Sequence, residues 1–521
     1  MREILKRNGK KEFFNGNKII KAVMRAAIDA GIGKGDSSRI SNEVYDNMIP
    51  KINKIEILTV EGIQDEVEKS LMELGYYKIA KAYILYRNER TAKRNKPWEM
   101  NELQKSILNK KYLQPGETFD EWLKRVSNGD EQLEKIMRQK KFLFAGRILA
   151  NRGLHNKGIK VTYSNCYVIQ PPTDSIEGIY EAAYKLARTF SYGGGVGVSL
   201  GKLRPKNATV HNAAKSTSGA VSFMELYNMT TSIIGQNGRR GALMISMPID
   251  HPDIEEFIYI KTDLTKITKA NISVMITDEF MRAVDSNEMF TCKFTVNEYN
   301  EIITKMVDAR KLFMKLCENN WNMAEPGILY WDRISNWNLN SEDSDFEYTG
   351  VNPCAEEPLP SGGSCLLGSL NLSEFVKHPF TENAEIDFED LIKTVKIATK
   401  GLYDVLEEGL PLHPLQEQRD AVSKYRQIGL GMMGIADMFL KLNVTYGSEE
   451  SLKISGIISN LILNTCAQTS ALIAKEEGVY EAYDYEKISS SKFFKENFSN
   501  ETKEMIKEYG LRGNQLLTLA P

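Results

Sequence analysis

"VNPCAEEPLPSGGSCLLGSLNL", residues 351–372, is the stretch whose reading decides the fold and chemistry of this chain. Cys354 stands between Asn352 and Glu356 at alternate positions, Pro353 and Pro358 bar a helix, and a second thiol, Cys365, follows eleven residues on. The prolines predict extended backbone, in which alternate side chains share one face. Asn352, Cys354 and Glu356 are therefore expected to point at one spot. A carboxylate beside a thiol raises the thiol's pKa, which suits a thiolate nucleophile poorly. No partner histidine for a cysteine hydrolase stands out. The pattern fits better a thiol that gives and takes a hydrogen atom, with Glu356 as base toward a substrate hydroxyl and Asn352 as a hydrogen-bonding positioner. The competing reading is a structural cysteine with unrelated neighbours, because free cysteine commonly serves as a small core residue.

The rest of the chain narrows the setting. Its 521 residues exceed one simple core, so two or three domains are expected. Hydrophobic residues make up 42% and charged residues 26%, the balance of an ordinary globular protein. A formal charge of −2 makes no electrostatic case for nucleic acid or a membrane surface as partner. No run of eighteen apolar residues is evident, and the start "MREILKRNGKKEFF" is charged and unlike a signal peptide. Six cysteines without a C-x-x-C do not make a secreted disulfide framework. With five histidines and no H-E-x-x-H, no metal site is expected. If the thiols do chemistry, these features point to redox or radical chemistry in a reducing cytoplasm.

Along the chain, residues 1–92 read as a small helical unit. A hairpin turn is expected at Asn8–Gly9, followed by helices in "NKIIKAVMRAAIDAG", "TVEGIQDEVEKSLMELG" and "YKIAKAYILYRNERTAKR". The charged "RNERTAKRNKPWE" reads as a boundary, and residues 93–155 as a helical, amphipathic connector ending in "FLFAGRILANRG". From 156 to 521, strand-like runs ("KVTYSNCYVI", "GVGVSL", "ISVMIT") alternate with helical ones, which argues an α/β architecture with parallel strands, open or closed into a barrel. "SYGGGVGVSLGKLRP" (191–205) fails the P-loop pattern, because Leu203 stands where serine or threonine should follow the lysine. It reads equally as a turn where backbones approach closely. Arg239 and Arg240 in "IIGQNGRRGALM" could grip phosphate or simply face solvent. The basic cluster Lys6, Arg7, Lys10, Lys11 and Lys18 suits a polyphosphate, or is a solvated basic face.

These motifs together carry a resemblance. "NPCAEEPL…CLLGSLNL" resembles the active-site segment of ribonucleotide reductase large (catalytic) subunits, and "YSNCYVI" around Cys166 resembles that family's first redox cysteine. "GGGVGVSLGKLRP", "GQNGRRGALM" and "RQIGLGMMGIADMFL" follow in the family's order, and the first ninety residues resemble its ATP-cone module. The resemblance implies an N-terminal ATP-cone, a helical connector and most of a ten-stranded α/β barrel. It implies that Cys354 becomes a thiyl radical that abstracts the ribose 3′ hydrogen. Glu356 would take the 3′-hydroxyl proton and Asn352 would hold the ribose hydroxyls. Cys166 and Cys365 would supply two electrons as the 2′-hydroxyl leaves, ending as a disulfide re-reduced by thioredoxin or glutaredoxin. Substrate phosphate would lie near Asn165, Gly194 and Gly195. A nucleoside triphosphate effector would bind at a homodimer interface through Asp174, Arg204 and the 205–217 loop, with Gln236 and Arg240 relaying its identity. In the cone, Lys6, Arg7, Glu12, Asn15, Lys18, Thr59 and Arg87 would contact ATP or dATP.

The resemblance breaks at "TLAP", which in the family leads into a Thr/Ser-rich turn and helix that cradle the substrate phosphates. The expectation is an N-terminal piece, from a split or interrupted gene or a truncated product, that binds effectors and needs a complementing C-terminal fragment for turnover. The radical generator stays open between adenosylcobalamin and a separate metal-cofactor small subunit, and the substrate between di- and triphosphate. Glycyl-radical relatives are disfavoured because they lack the glutamate held here by Glu356. The alternative from another class is a non-catalytic nucleotide-sensing protein.

Overall fold

The computed structural model describes residues 3–5, 11–55, 57–95, 100–236, 239–298 and 300–514. The chain divides into two units, Met1–Glu99 and Met100–Pro521.

In the first unit an antiparallel pair, Glu3–Leu5 with Lys11–Phe13, precedes four helices. The turn expected at Asn8–Gly9 lies outside the described residues. Three helices, Gly16–Asp29, Val60–Glu73 and Tyr77–Asn95, stand where apolar periodicity predicts them. The fourth, Lys34–Ile52, escapes a periodicity reading because Ser37 and Ser41 occupy its buried face and Pro50 sits inside it. Those two hydroxyls donate to the carbonyls of Gly33 (2.9 Å) and Ser38 (2.9 Å), which is what lets serine replace an apolar residue there. Val23, Val44, Val67 and Leu71 are fully buried between the helices. The last helix continues to Asn95, through most of the charged stretch read as a boundary.

The second unit is α/β. Short runs of β-branched and small residues form β1 (Cys166–Val168), β2 (Gly195–Ser199), β3 (Leu243–Pro248), β4 (Ala270–Ile276) and β5 (Gly327–Tyr330). They lie side by side in chain order, all parallel, with helices such as Ile176–Ser191 and Met224–Ile233 in the connections. β1 to β4 are almost wholly buried, as parallel strands covered on both faces must be. A hairpin of β6 (Gly350–Val351) and β7 (Pro358–Leu359) follows, and β8 (Ser364–Cys365) then closes the sheet edge antiparallel to β1. The α/β class is thus as the strand–helix alternation leads one to expect, and a partial barrel is as the resemblance implies.

Residues 93–155 differ from the expected connector. Phe142–Phe144, read as part of a helical run, is a strand paired with Leu367–Asn371, which in turn pairs with Gly429–Met433. Trp122, Leu133 and Phe142 share one core with Leu370, Leu402 and Ile462. The three-residue "FLF" is too short for its period to be read, and only its distant partner makes it a strand. The helix Glu449–Glu477, though interrupted by polar residues, is by length and composition apolar enough to cross a membrane. Its buried residues Ile458, Ile462, Cys466 and Ala467 belong to the same core, which makes it a core helix here.

Glycines in β2 set how closely the β6–β7 hairpin lies on the sheet. A Cβ at Gly197 would sit 1.8 Å from the Val351 carbonyl oxygen, and one at Gly195 would sit 2.9 Å from Pro353 Cγ. Gly197→Ala is expected to cost about 1–3 kcal/mol through overpacking, whereas Gly456→Ala, with open space around it in the Glu449–Glu477 helix, should stabilise by about 0.5–1 kcal/mol. Thermal unfolding of the two variants beside the parent checks both signs.

Candidate active site

The 352–357 segment is the tip of a hairpin and not the extended chain expected from its prolines. Val351 and Pro358 are register partners, so the six residues between them turn the chain back. Asn352 closes the turn: its amide donates to the Glu357 carbonyl (3.1 Å), its Oδ1 accepts from the Glu357 amide (3.1 Å), and its carbonyl accepts from Ala355 (3.0 Å). Ala355 is left-handed at φ +69. Pro353 and Pro358 restrict φ as anticipated, yet they flank a turn in place of a strand. From β4, Asn271 Nδ2 donates to the Pro353 carbonyl (2.9 Å), and Val351 packs with Met244, Met275 and Leu329 on the sheet face.

This placement brings three thiols together. Cys166 of β1 and Cys365 of β8 are register partners, which sets their Cα atoms about 4.5–5.5 Å apart, within the range a disulfide spans. Both are free thiols, and Cys365 is fully buried. Burial first, then hydrogen bonds and charge from Cys166 and Glu357, hold the Cys365 thiol well above its ordinary pKa. Cys354 is an exposed residue at the hairpin tip. Partial burial of its sulfur, the Glu356 carboxylate and the nearby Cys166 thiol raise its pKa in that order. The expected pairing of a carboxylate with a protonated thiol is thus reached by a turn.

Around these thiols lie polar atoms that the described residues leave unsatisfied. Among those residues, Asn165 Oδ1, Asn352 Nδ2 and Glu356 Oε2 are buried without a hydrogen-bond partner. Buried polar atoms are nearly always paired, so two acceptors and a donor beside three thiols mark a place for a polar ligand. The Asn165 backbone is fixed on both sides: its amide donates to the Cys365 carbonyl (3.0 Å) and its carbonyl accepts from Gly195 (2.8 Å). Gly194 donates its amide to Thr189 (3.1 Å). The amides of Gly194 and Gly195 are therefore engaged within the chain, and the close approach of Pro353 to Gly195 gives that glycine a packing role. Behind the thiol pair, the Tyr167 hydroxyl meets His413 Nδ1 (2.7 Å) and Thr162 Oγ1 (2.5 Å) in a buried network. Burial pushes His413 down to about 3, so it stays neutral. No spacing in the sequence signalled this support, because its members lie up to 251 residues apart (162 to 413).

A second site lies at the start of the Ile176–Ser191 helix. Asp174, Arg204, His211, Thr217 and Glu298 line a cavity of about 610 Å³. Arg204 donates to Asp174 through its amide (2.9 Å) and Nε (2.7 Å), and its Nη2 reaches Glu298 (3.3 Å). The structure thus joins Asp174 and Arg204 and adds Glu298, which the sequence reading missed. Gln236 and Arg240 belong to a separate small antiparallel pair in which Gly235 opposes Arg240 and Gln236 opposes Arg239.

In the first unit, Glu12 and Asn15 line a cavity of about 510 Å³, and Lys18 Nζ binds Glu12 (2.9 Å). Asn15 caps the Gly16–Asp29 helix (3.1 Å). Thr59 instead caps the Val60–Glu73 helix (3.0 Å), and Arg87 pairs with Asp65 (2.6 Å) and Glu68 (2.8 Å). Lys6 and Arg7 lie outside the described residues.

Comparison with known proteins places these features in a family. The ribonucleotide reductase barrel domain matches residues 164–521, and the ATP cone domain matches residues 2–92. The chain is 30% identical to the vitamin B12-dependent ribonucleoside-diphosphate reductase of Thermoplasma acidophilum, over 93% of this chain and 72% of that protein. It is 29% identical to the Mycobacterium tuberculosis protein of the same description, over 84% of this chain and 65% of the relative. Among solved structures, the class Id ribonucleotide reductase alpha subunit of Actinobacillus ureae superposes with a TM-score of 0.64 at 20% identity, covering 82% of this chain and 73% of that one.

The raised Cys354 pKa has a direct consequence for reactivity. At pH 8, Glu356→Gln removes a negative charge beside the sulfur and should speed Cys354 alkylation by iodoacetamide about 3–10-fold, since one pKa unit is a tenfold change in thiolate. Rates followed by peptide mass spectrometry check this, and an unchanged rate would place Glu356 away from the thiol.

Proposed function

The chain belongs to the ribonucleotide reductase family, and we propose that it acts in the reduction of ribonucleotides to 2′-deoxyribonucleotides with Cys354 as the hydrogen-abstracting thiol. The observation that carries this reading is the convergence of Cys354, Cys166 and Cys365 beside three buried polar atoms that find no partner among the described residues. A thiol that works by hydrogen-atom transfer must be protonated when at rest, and the raised pKa values of Cys354 and Cys365 suit that need. Glu356 Oε2 and Asn352 Nδ2 would meet the ribose hydroxyls, the carboxylate taking the 3′-hydroxyl proton. Asn165 Oδ1 offers a further acceptor on the same face. Loss of the 2′-hydroxyl as water would draw two electrons from Cys166 and Cys365, forming a disulfide that thioredoxin or glutaredoxin re-reduces. A nucleotide-sensing role alone leaves the convergence of thiols without a purpose.

The relatives' names favour a nucleoside diphosphate as substrate and adenosylcobalamin as radical source. Cys354 is exposed on a hairpin tip, so its sulfur can be approached from the open side by a bulky group. When bound, that cofactor would supply the one-electron oxidation of Cys354. The ATP-cone supports nucleotide effector binding, for which Glu12, Asn15 and Lys18, with Lys6 and Arg7, are the proposed contacts.

For the second effector, the Asp174–Arg204 cavity holds Asp174, Glu177 and Glu298 against Arg204. Three carboxylates and one guanidinium suit a triphosphate poorly, so we read the site as completed by a second copy. Ile176, Tyr180 and Tyr184 recur every four residues along the Ile176–Ser191 helix, and Met229 and Ile233 do so on Met224–Ile233. All five are more than half exposed. This apolar face at the cavity edge is the proposed homodimer surface.

Two measurements test the reading. Cys354→Ser should abolish deoxyribonucleotide formation in the active assembly while leaving deoxynucleoside triphosphate binding unchanged; retained turnover would sink the assignment. Tyr184→Glu should shift the chain toward monomer in sedimentation velocity and weaken triphosphate binding in parallel, whereas unchanged association would move the interface elsewhere.

A further inference from the structure

Next to the motif glutamate stands another, Glu357, which faces the other way. Along the Glu357–Leu359 arm of the hairpin, alternate residues share a side. Leu359 packs in one cluster with Cys365, Val168 and Leu367, so Glu357 is turned toward the same interior. It is 0% exposed, and its carboxylate is one of the groups that raise the Cys365 thiol's pKa. Both backbone polar groups of Glu357 are fixed by Asn352, at 3.1 Å each. Its orientation is therefore set by the same turn that presents Cys354.

A fully buried carboxylate is costly unless it has work or partners. We propose that Glu357 is the proton store of the Cys166–Cys365 pair, taking the Cys365 proton as the disulfide forms and returning it to the Cys365 sulfur when the disulfide is reduced. This rests on the assignment of that pair as the electron source. In the forward direction the pair delivers two electrons to the substrate, the Cys365 proton passes to Glu357, and one proton from solvent completes the departing water. In the return direction a dithiol's thiolate attacks the sulfur of Cys166, the partly accessible member of the pair. The S–S bond breaks, its electron pair goes to the Cys365 sulfur, and the Glu357 proton follows. The dithiol's second thiolate then displaces the Cys166 sulfur and closes its own disulfide, with one proton released overall. A leaving thiol of high pKa departs slowly, and Cys365 is held well above its ordinary value, so a proton at hand removes that obstacle.

Among the described residues, four titratable groups stand near Glu357 along the chain or act on its carboxylate or thiol partner. Cys365 faces it from β8, with Cys166 of β1 behind. The buried Tyr348 lies ahead of β6, its pKa raised by burial and then by Glu357. Glu356 is its chain neighbour.

The test equilibrates the full chain with dithiothreitol redox buffers from pH 6 to 8 and quantifies the trapped Cys166–Cys365 disulfide by mass spectrometry. A proton stored on Glu357 makes reduction more favourable by about tenfold per pH unit, the mass-action signature of one proton. Glu357→Gln should be independent of pH over this range, Glu357→Asp should keep the slope, and Glu356→Gln should keep it too. A flat parent protein, or a Glu357→Gln slope equal to the parent's, overturns the proposal. Should Glu357→Gln fail to fold, the parent's slope alone decides. If oxidation yields no Cys166–Cys365 disulfide, the electron-pair assignment fails, and this inference fails with it.

Discussion

Everything at the candidate site depends on how closely one hairpin backbone approaches one strand. The Val351 carbonyl lies where a Cβ of Gly197 would be, and Pro353 lies against Gly195. Without side chains on that face of β2, the hairpin settles onto the sheet and its tip is carried to Cys166. Asn271, reaching from β4 to the Pro353 carbonyl, holds the tip in place. The glycines act by what they leave empty, and the amides of Gly195 and its neighbour Gly194 are engaged with Asn165 and Thr189.

The electrostatics follow from the same close packing. Burial and neighbouring carboxylates keep Cys354 and Cys365 protonated, the reverse of what a nucleophilic cysteine requires. Two adjacent glutamates are divided between two thiols by the alternation of side chains, Glu356 beside Cys354 and Glu357 beside Cys365. A turn with Ala355 left-handed makes this division possible, since a continuous strand would have placed Asn352, Cys354 and Glu356 on one side and left Glu357 without a role.

Much of this was legible in the residues. The alternating strand and helix patterns after residue 160 gave an α/β unit, and three of the four helices in the first unit follow their apolar period. Ser37 and Ser41 hid the remaining helix, because their hydroxyls satisfy the backbone locally and look like surface residues in a pattern. Phe142–Phe144 was read as helix because a three-residue strand has no period of its own. At the site, the residue types around Cys354 pointed to a protonated thiol, and the raised Cys354 pKa agrees, although the backbone that presents it is a hairpin. Glu298, His413 and Tyr167 were illegible, since each matters through a partner distant in the chain.

By itself, the sequence determined the local chemistry: a thiol flanked by an amide and a carboxylate, further thiols to pair, and glycines permitting close approach. It also determined the family, through the order of those motifs. The tertiary structure alone decided which groups meet. Register made Cys166 and Cys365 partners, the hairpin turned Glu357 inward, and the fold brought Glu298 to Arg204. The physical reason is that propensity and spacing act over a few residues, whereas pairing across a sheet and burial of a carboxylate depend on strands that the chain joins only after long connections.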